Sequence, residues 1–171
     1  VHFCQDCGSA LAEAEVEYQD KVSKSIDVSF QVSSNSLKKI NSIFNLDIDK
    51  NCSFVIWTTT PWTLPSNVAV CINPKLDYSV VKKDDDYLII ATELIDSCSD
   101  RWNIELKNLS NVKGSDLKDI DLEHPFLDRQ SILLQGSHVT TDAGTGCVHT
   151  APAHGLDCLL YTSPSPRDVE E

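Results

Sequence analysis

A chain of 171 residues, 41% hydrophobic and 23% charged, has the material for one buried core and too little length for two full domains. A formal net charge of −12 argues against a partner held by broad phosphate neutralisation, which needs clustered Lys and Arg, so any nucleic acid must be gripped by a small site. No apolar run reaches the roughly 20 residues of a membrane-spanning helix, and the first residues lack the basic and apolar regions of a secretion signal. Met is absent throughout, initiator included, so the sequence reads as a piece of a longer protein. Seven cysteines, an odd number without a secretion signal, fit a reducing cytosol better than a disulfide framework.

In chain order, Cys4-x-x-Cys7-Gly8 reads as a knuckle, which is half of a tetrahedral zinc site or else two ordinary thiols. Residues 10–18 carry helix-favouring Ala and Glu, yet Ala12, Ala14, Val16 and Tyr18 alternate, and the alternation favours a strand. Residues 25–32 alternate cleanly, which puts Ile26, Val28, Phe30 and Val32 on one strand face. Leu37, Ile40, Ile43 and Phe44 fall at helical spacing, so residues 36–44 form a short amphipathic helix. Strands follow at 54–59, 68–72, 78–81 and 87–91, the last two a hairpin turning at Asp84-Asp85-Asp86. A helix opens at 92–97, with Thr92 or a neighbour as its cap. Residues 104–106, 131–134, 138–140 and 146–150 are strand-like again. The pattern predicts a mixed, mainly β fold: a β-barrel or strongly curved sheet with a few short peripheral helices.

Two polar clusters stand out. Thr58-Thr59-Thr60-Pro61-Trp62-Thr63-Leu64-Pro65-Ser66-Asn67 begins where the apolar strand 54–56 runs out. Thr58 and Thr60 share a strand face, and the two prolines stop the ladder, which frees backbone amides beside the hydroxyls. Such a group suits a ribose edge, an ester carbonyl or an oriented water; a Thr run at a proline turn is also common in any barrel. The second cluster runs from Asp142 through Gly144-Thr145-Gly146 to His149 and His154, and its glycines allow close approach of backbone to a ligand. Two histidines five apart make a poor metal site. No Ser or Cys is paired with a base at recognisable spacing, so covalent catalysis lacks support. From Cys158 onward the text changes to a Ser/Pro stretch, and Leu-Tyr-Thr-Ser-Pro-Ser-Pro-Arg-Asp resembles translated sequencing-adaptor sequence. Residues 158–171 are therefore expected to be a non-native, disordered tail, with a natural tail as the alternative.

Both clusters, in this order and at this separation, resemble the inserted editing domain of the class I isoleucyl-tRNA synthetases. The valyl and leucyl relatives carry a Thr-Thr-Arg-Pro form in this motif, so Thr60-Pro61-Trp62 favours the isoleucyl members. The run from Gly144 to Asp157 resembles the family's second editing motif, and residues 1–18 resemble the segment leading out of the synthetic core. The resemblance implies a lead-in segment with half a zinc knuckle at 1–24, a C-terminally truncated β-barrel editing domain at 25–157, and the tail at 158–171. It implies an enzyme that joins isoleucine to its tRNA with ATP, this part hydrolysing mischarged valyl-tRNA. Isoleucine and valine differ by one methylene, a difference that a single binding pocket separates too weakly.

By the same resemblance Thr58, Thr59, Thr60 and His149 are the catalytic residues, with His149 crowding the aminoacyl side chain. Trp62, Asn67, Gly144, Thr145, Gly146 and Asp157 bind substrate. One departure is serious: the family's second acidic residue, which meets the substrate ammonium, falls at Cys158, and a neutral thiol cannot make that contact. The ATP-binding signatures of the synthetic core do not occur. No cofactor is expected in this fragment; ATP with magnesium, and in some members zinc through Cys4, Cys7 and ligands elsewhere, belong to the full-length enzyme. The implied partner is the mischarged 3′ end of the isoleucine tRNA, with no DNA or membrane, and the family is typically monomeric. Two alternatives stay open: a non-catalytic aminoacyl-tRNA-binding barrel, and a structural zinc-ribbon piece.

Overall fold

The computed structural model describes residues 2–4, 6–17, 20 and 22–152. The expected substrate residue Asp157, the departure at Cys158 and the 158–171 tail lie outside the described residues. A short hairpin, β1 (His2–Cys4) and β2 (Ser9–Leu11), precedes β3 (Ile26–Gln31), α1 (Ser34–Phe44), β4 (Cys52–Thr58), β5 (Ala69–Ile72), β6 (Asp77–Lys83) and β7 (Asp86–Ala91). Then come α2 (Ile95–Trp102), β8 (Lys107–Lys113), β9 (Asp121–Glu123), β10 (Gln130–Gln135) and β11 (Cys147–Thr150). No helix among the described residues is long and apolar enough to cross a membrane.

Two larger sheets carry the fold. One has the order β3-β4-β7-β6-β8 and the other β11-β5-β10-β9. An isolated bridge between Val32 and Leu122 joins the β3 edge of the first to the β9 edge of the second, so the surface curls and brings β11 against β4. The central strands β4 and β5 are buried along almost their whole length, which is why Phe54-Val55-Ile56 and Ala69–Ile72 read as continuous apolar runs. Tyr78, Phe30, Phe44, Phe54, Ile56 and Ile89 are among the large side chains wholly buried between the sheets and α1. The architecture is mixed and mainly β, as expected. The barrel is not closed among the described residues, since the β8 and β11 edges have no strand partner beyond β6 and β5.

Several boundaries differ from the sequence expectation for physical reasons. Residues 10–18 are not one strand: β2 ends at Leu11 and Glu13–Glu15 forms a 3-10 turn, because the Glu15 carboxylate accepts the Ala12 N–H at 2.8 Å and folds the chain back. The β3 face leaves the core towards its start, with Phe30 wholly buried and Ile26 37% exposed. Thr92 does not cap α2, which follows a 3-10 turn and has no side-chain cap; the Thr92 hydroxyl bonds to that of Ser79 at 2.8 Å. The strand expected at 104–106 forms at Lys107–Lys113, and residues 138–140 are not in a strand.

Candidate functional site

The ladder ends at Thr58, and Pro61, its φ preset for a helical turn, opens a 3-10 segment over Pro61–Ser66. In the turn between them the Thr60 N–H donates to Thr58 Oγ1 at 3.1 Å, and the two hydroxyls lie 3.2 Å apart. The 3-10 segment is pinned from below. His124 Nε2 meets the Leu64 carbonyl at 2.9 Å, and Arg129 donates to the Pro65 carbonyl at 2.5 Å.

Behind the turn runs a directional chain of hydrogen bonds. Ser131 Oγ donates to Asn67 Oδ1 at 2.7 Å. The Asn67 amide donates to the Ala69 carbonyl at 2.8 Å, which fixes its orientation, and its second hydrogen faces His149 Nδ1 at 3.1 Å. A nitrogen that accepts from an amide carries no proton, so His149 holds its proton on Nε2. That nitrogen lies 2.6 Å from Thr63 Oγ1, whose own hydrogen goes to the Thr60 carbonyl at 2.8 Å. Asn67 is wholly buried, and Ser131 and Thr63 nearly so. The threonine turn is thus braced by a histidine of defined tautomer.

The second wall is the loop before β11. Gly144 (φ +85°) and Gly146 (φ +74°) occupy the left-handed region that favours glycine. A Cβ on Gly146 would lie 2.3 Å from that of Ala91, so this position excludes any other residue without movement. Together the walls enclose a cleft of about 320 Å³, with Trp57, Thr58 and Thr59 on one side and Gly144, Thr145 and Gly146 on the other. His138, Thr140 and Asp142 also line it. Cys147 closes the end, its thiol pushed up by burial and so held neutral.

The structure therefore brings Thr58, Thr59, Gly144, Thr145 and Gly146 to one cleft. Thr60, Asn67 and His149 fall in the bracing chain, and Trp62, at 70% exposure, lies on the open surface beside the turn. The roles of Thr63 and Ser131 carry no sequence signal, because His149 and Asn67 reach them from distant parts of the chain, and nothing in the sequence marks His138 as a residue of the cleft. At the other end of the chain, the Cys7 N–H donates to Cys4 Sγ at 3.4 Å, and this bond holds the Cys4 thiol below its ordinary value. The knuckle geometry is present, but two thiols are half of a structural zinc site, and no cluster of three ligating side chains exists among the described residues. The pair does not by itself fit the metal.

No family model matches the chain. It is 49% identical over 158 residues to the isoleucine–tRNA ligase of Thioalkalivibrio sulfidiphilus, covering 92% of this chain and 17% of that protein. The chain thus spans about one sixth of the length of the relatives it matches. Among solved structures it resembles GlLeuRS-CP1, with a TM-score of 0.62 at 20% identity over 74% of this chain and 54% of that one. It also resembles the P. falciparum cytosolic leucyl-tRNA synthetase editing domain, with a TM-score of 0.55 at 14% identity over 73% of this chain and 60% of that one. At those identities the likeness is one of fold.

Proposed function

We propose that this chain is the editing part of an enzyme of the isoleucine–tRNA ligase family, whose members it matches at 49% identity over the segment it spans. Its reaction is hydrolysis of the ester in valyl-tRNA formed on the isoleucine tRNA. One observation carries the reading: the threonine strand end and the glycine loop, some eighty residues apart in the chain, face each other across one cleft. We read the curled sheets as the wall of an editing barrel.

In this reading the Thr58 and Thr59 hydroxyls and the turn at Thr60 hold the terminal ribose and the ester and orient a water for attack. The chemistry needs placement and hydrogen bonds to the developing oxyanion, not a covalent intermediate. Gly144, Thr145 and Gly146 let the backbone approach the adenosine, Trp62 contacts the tRNA end from the rim, and Asn67 sets the turn through its bonds to Ala69 and His149. His149 narrows the space for the aminoacyl side chain through the turn it braces, and Asp157 substitutes only weakly for the acidic residue missing at position 158. ATP-dependent attachment of isoleucine, with its magnesium and any zinc, belongs to parts of the longer enzyme that this chain does not span. The described cysteines are free thiols, which suits a reducing cytosol.

The test follows labelled valine released from valyl-tRNA by this chain and by its Cys158→Asp variant, with correctly charged isoleucyl-tRNA as control. The variant is expected to release valine at least tenfold faster and to spare isoleucine, because it restores a charge-assisted contact. Binding of the charged tRNA without release of valine by either protein would replace editing with a non-catalytic binding role.

A further inference from the structure

The glycine loop that forms the second wall is made of the residue type that resists a fixed conformation most, since glycine gives up the most backbone freedom on ordering. Its shape is held by its carbonyls, each turned towards a donor on the protein. The Gly146 carbonyl accepts from the buried Tyr78 hydroxyl at 2.6 Å, and the Thr145 carbonyl from the Ala91 N–H at 2.9 Å. The Gly144 carbonyl accepts from both terminal nitrogens of Arg101, each at 3.3 Å.

Only this last tether is charged. Arg101 stands in the final turn of α2, and its guanidinium is aimed by a two-point pair with Asp27 of β3, Nη2 to Oδ1 at 2.8 Å and Nε to Oδ2 at 3.1 Å. Trp102 Nε1 donates to the same Oδ2 at 2.9 Å and keeps the carboxylate from turning away. The planar fork of Arg can serve Asp27 and Gly144 at once, which the single ammonium of Lys cannot. Arg101 does not line the cleft, so any effect on a ligand passes through the loop.

We infer that Arg101, aimed by Asp27 and Trp102, is a positioning residue: it fixes the Gly144 carbonyl and so sets the wall against which the tRNA end is bound. This rests on the reading of the cleft as an editing site. The fork also ties together three elements that share no strand pairing, β3, α2 and the loop before β11.

The experiment uses the whole chain and its Arg101→Gln, Arg101→Lys and Asp27→Asn variants. Amide hydrogen exchange across residues 144–147 is read beside the KM and kcat for valyl-tRNA hydrolysis. Losing a charge-assisted bond to the loop is expected to speed exchange there about tenfold in Arg101→Gln, with exchange in β4 and β7 unchanged. KM should rise about tenfold while kcat changes less than about twofold, because the reacting groups stay in place. Asp27→Asn should give a smaller effect of the same kind, and Arg101→Lys an incomplete rescue. Unchanged exchange at 144–147 in both Arg101→Gln and Asp27→Asn overturns the inference, as does a fall confined to kcat. Faster loop exchange in a protein that never hydrolyses valyl-tRNA supports the tether and overturns the editing reading instead.

Discussion

A histidine in a site can be a base, a donor or a wall, and at His149 the neighbours decide which nitrogen is bare. The Ala69 carbonyl orients Asn67, Asn67 meets Nδ1, and the proton therefore rests on Nε2 against Thr63. Replacing the Asn67 amino group by an oxygen, as in Asn67→Asp, sets an acceptor against both the Ala69 carbonyl and Nδ1. The expected cost is about 2 kcal/mol of stability, measured by urea unfolding. The imidazole 15N signals of His149 should also show Nδ1 gaining a proton; an unchanged pattern would mean that Asn67 does not set the tautomer. The two cluster positions were legible because hydroxyls, glycines and a histidine at a strand end are chemically conspicuous. Ser131 and Thr63 were not, since the bonds that give them meaning reach 64 and 86 residues along the chain.

At the scale of elements, helix α1 shows why some stretches announce themselves. Its apolar residues keep helical spacing, and Ser33 caps it by accepting the Ser36 N–H at 3.3 Å. Ser33→Ala should lower stability by about 1 kcal/mol, seen as an earlier urea midpoint with an unchanged slope. The Ser36 hydroxyl bonds the Asp121 N–H at 2.9 Å, so a packed helix end also steadies β9. Strand β8 was invisible for the opposite reason. Lys107–Lys113 lies on a sheet edge and has only Leu109 and Val112 as apolar residues, three apart rather than two, because a register shift at Val80/Val81 interrupts its pairing with β6. Strand β9, at three residues, is too short to carry any period. The hairpin of β6 and β7 and the central β4 and β5 were readable because burial leaves only apolar choices there.

Over the whole molecule, the buried thiols set a limit in alkali. Burial pushes Cys52 from an ordinary 9.0 up to about 12, and raises Cys147 and Cys98 in the same direction. Below pH 9 such a thiol is neutral in both states and its burial costs nothing. Above it the unfolded chain loses protons that the fold retains, so stability falls as pH rises from 9 towards 12. Each such group contributes a slope of about 1.4 kcal/mol per pH unit. Urea midpoints at pH 8, 9.5 and 10.5 should drop progressively, and Cys52→Ala should flatten the fall; a flat profile in the parent chain would contradict it. The parallel pairing of β5 with β10 has a different consequence, one of timing. Both neighbours of β5 are made late: β10 starts about sixty residues after β5 ends, and β11 comes later still. At synthesis rates of roughly 5–20 residues per second, a fully apolar strand waits several seconds for a partner. During that wait the threonine turn exists without the wall that faces it, so the emerging chain is most open to misassociation while its central strand stands unpaired, and the cleft forms only once β11 has been made.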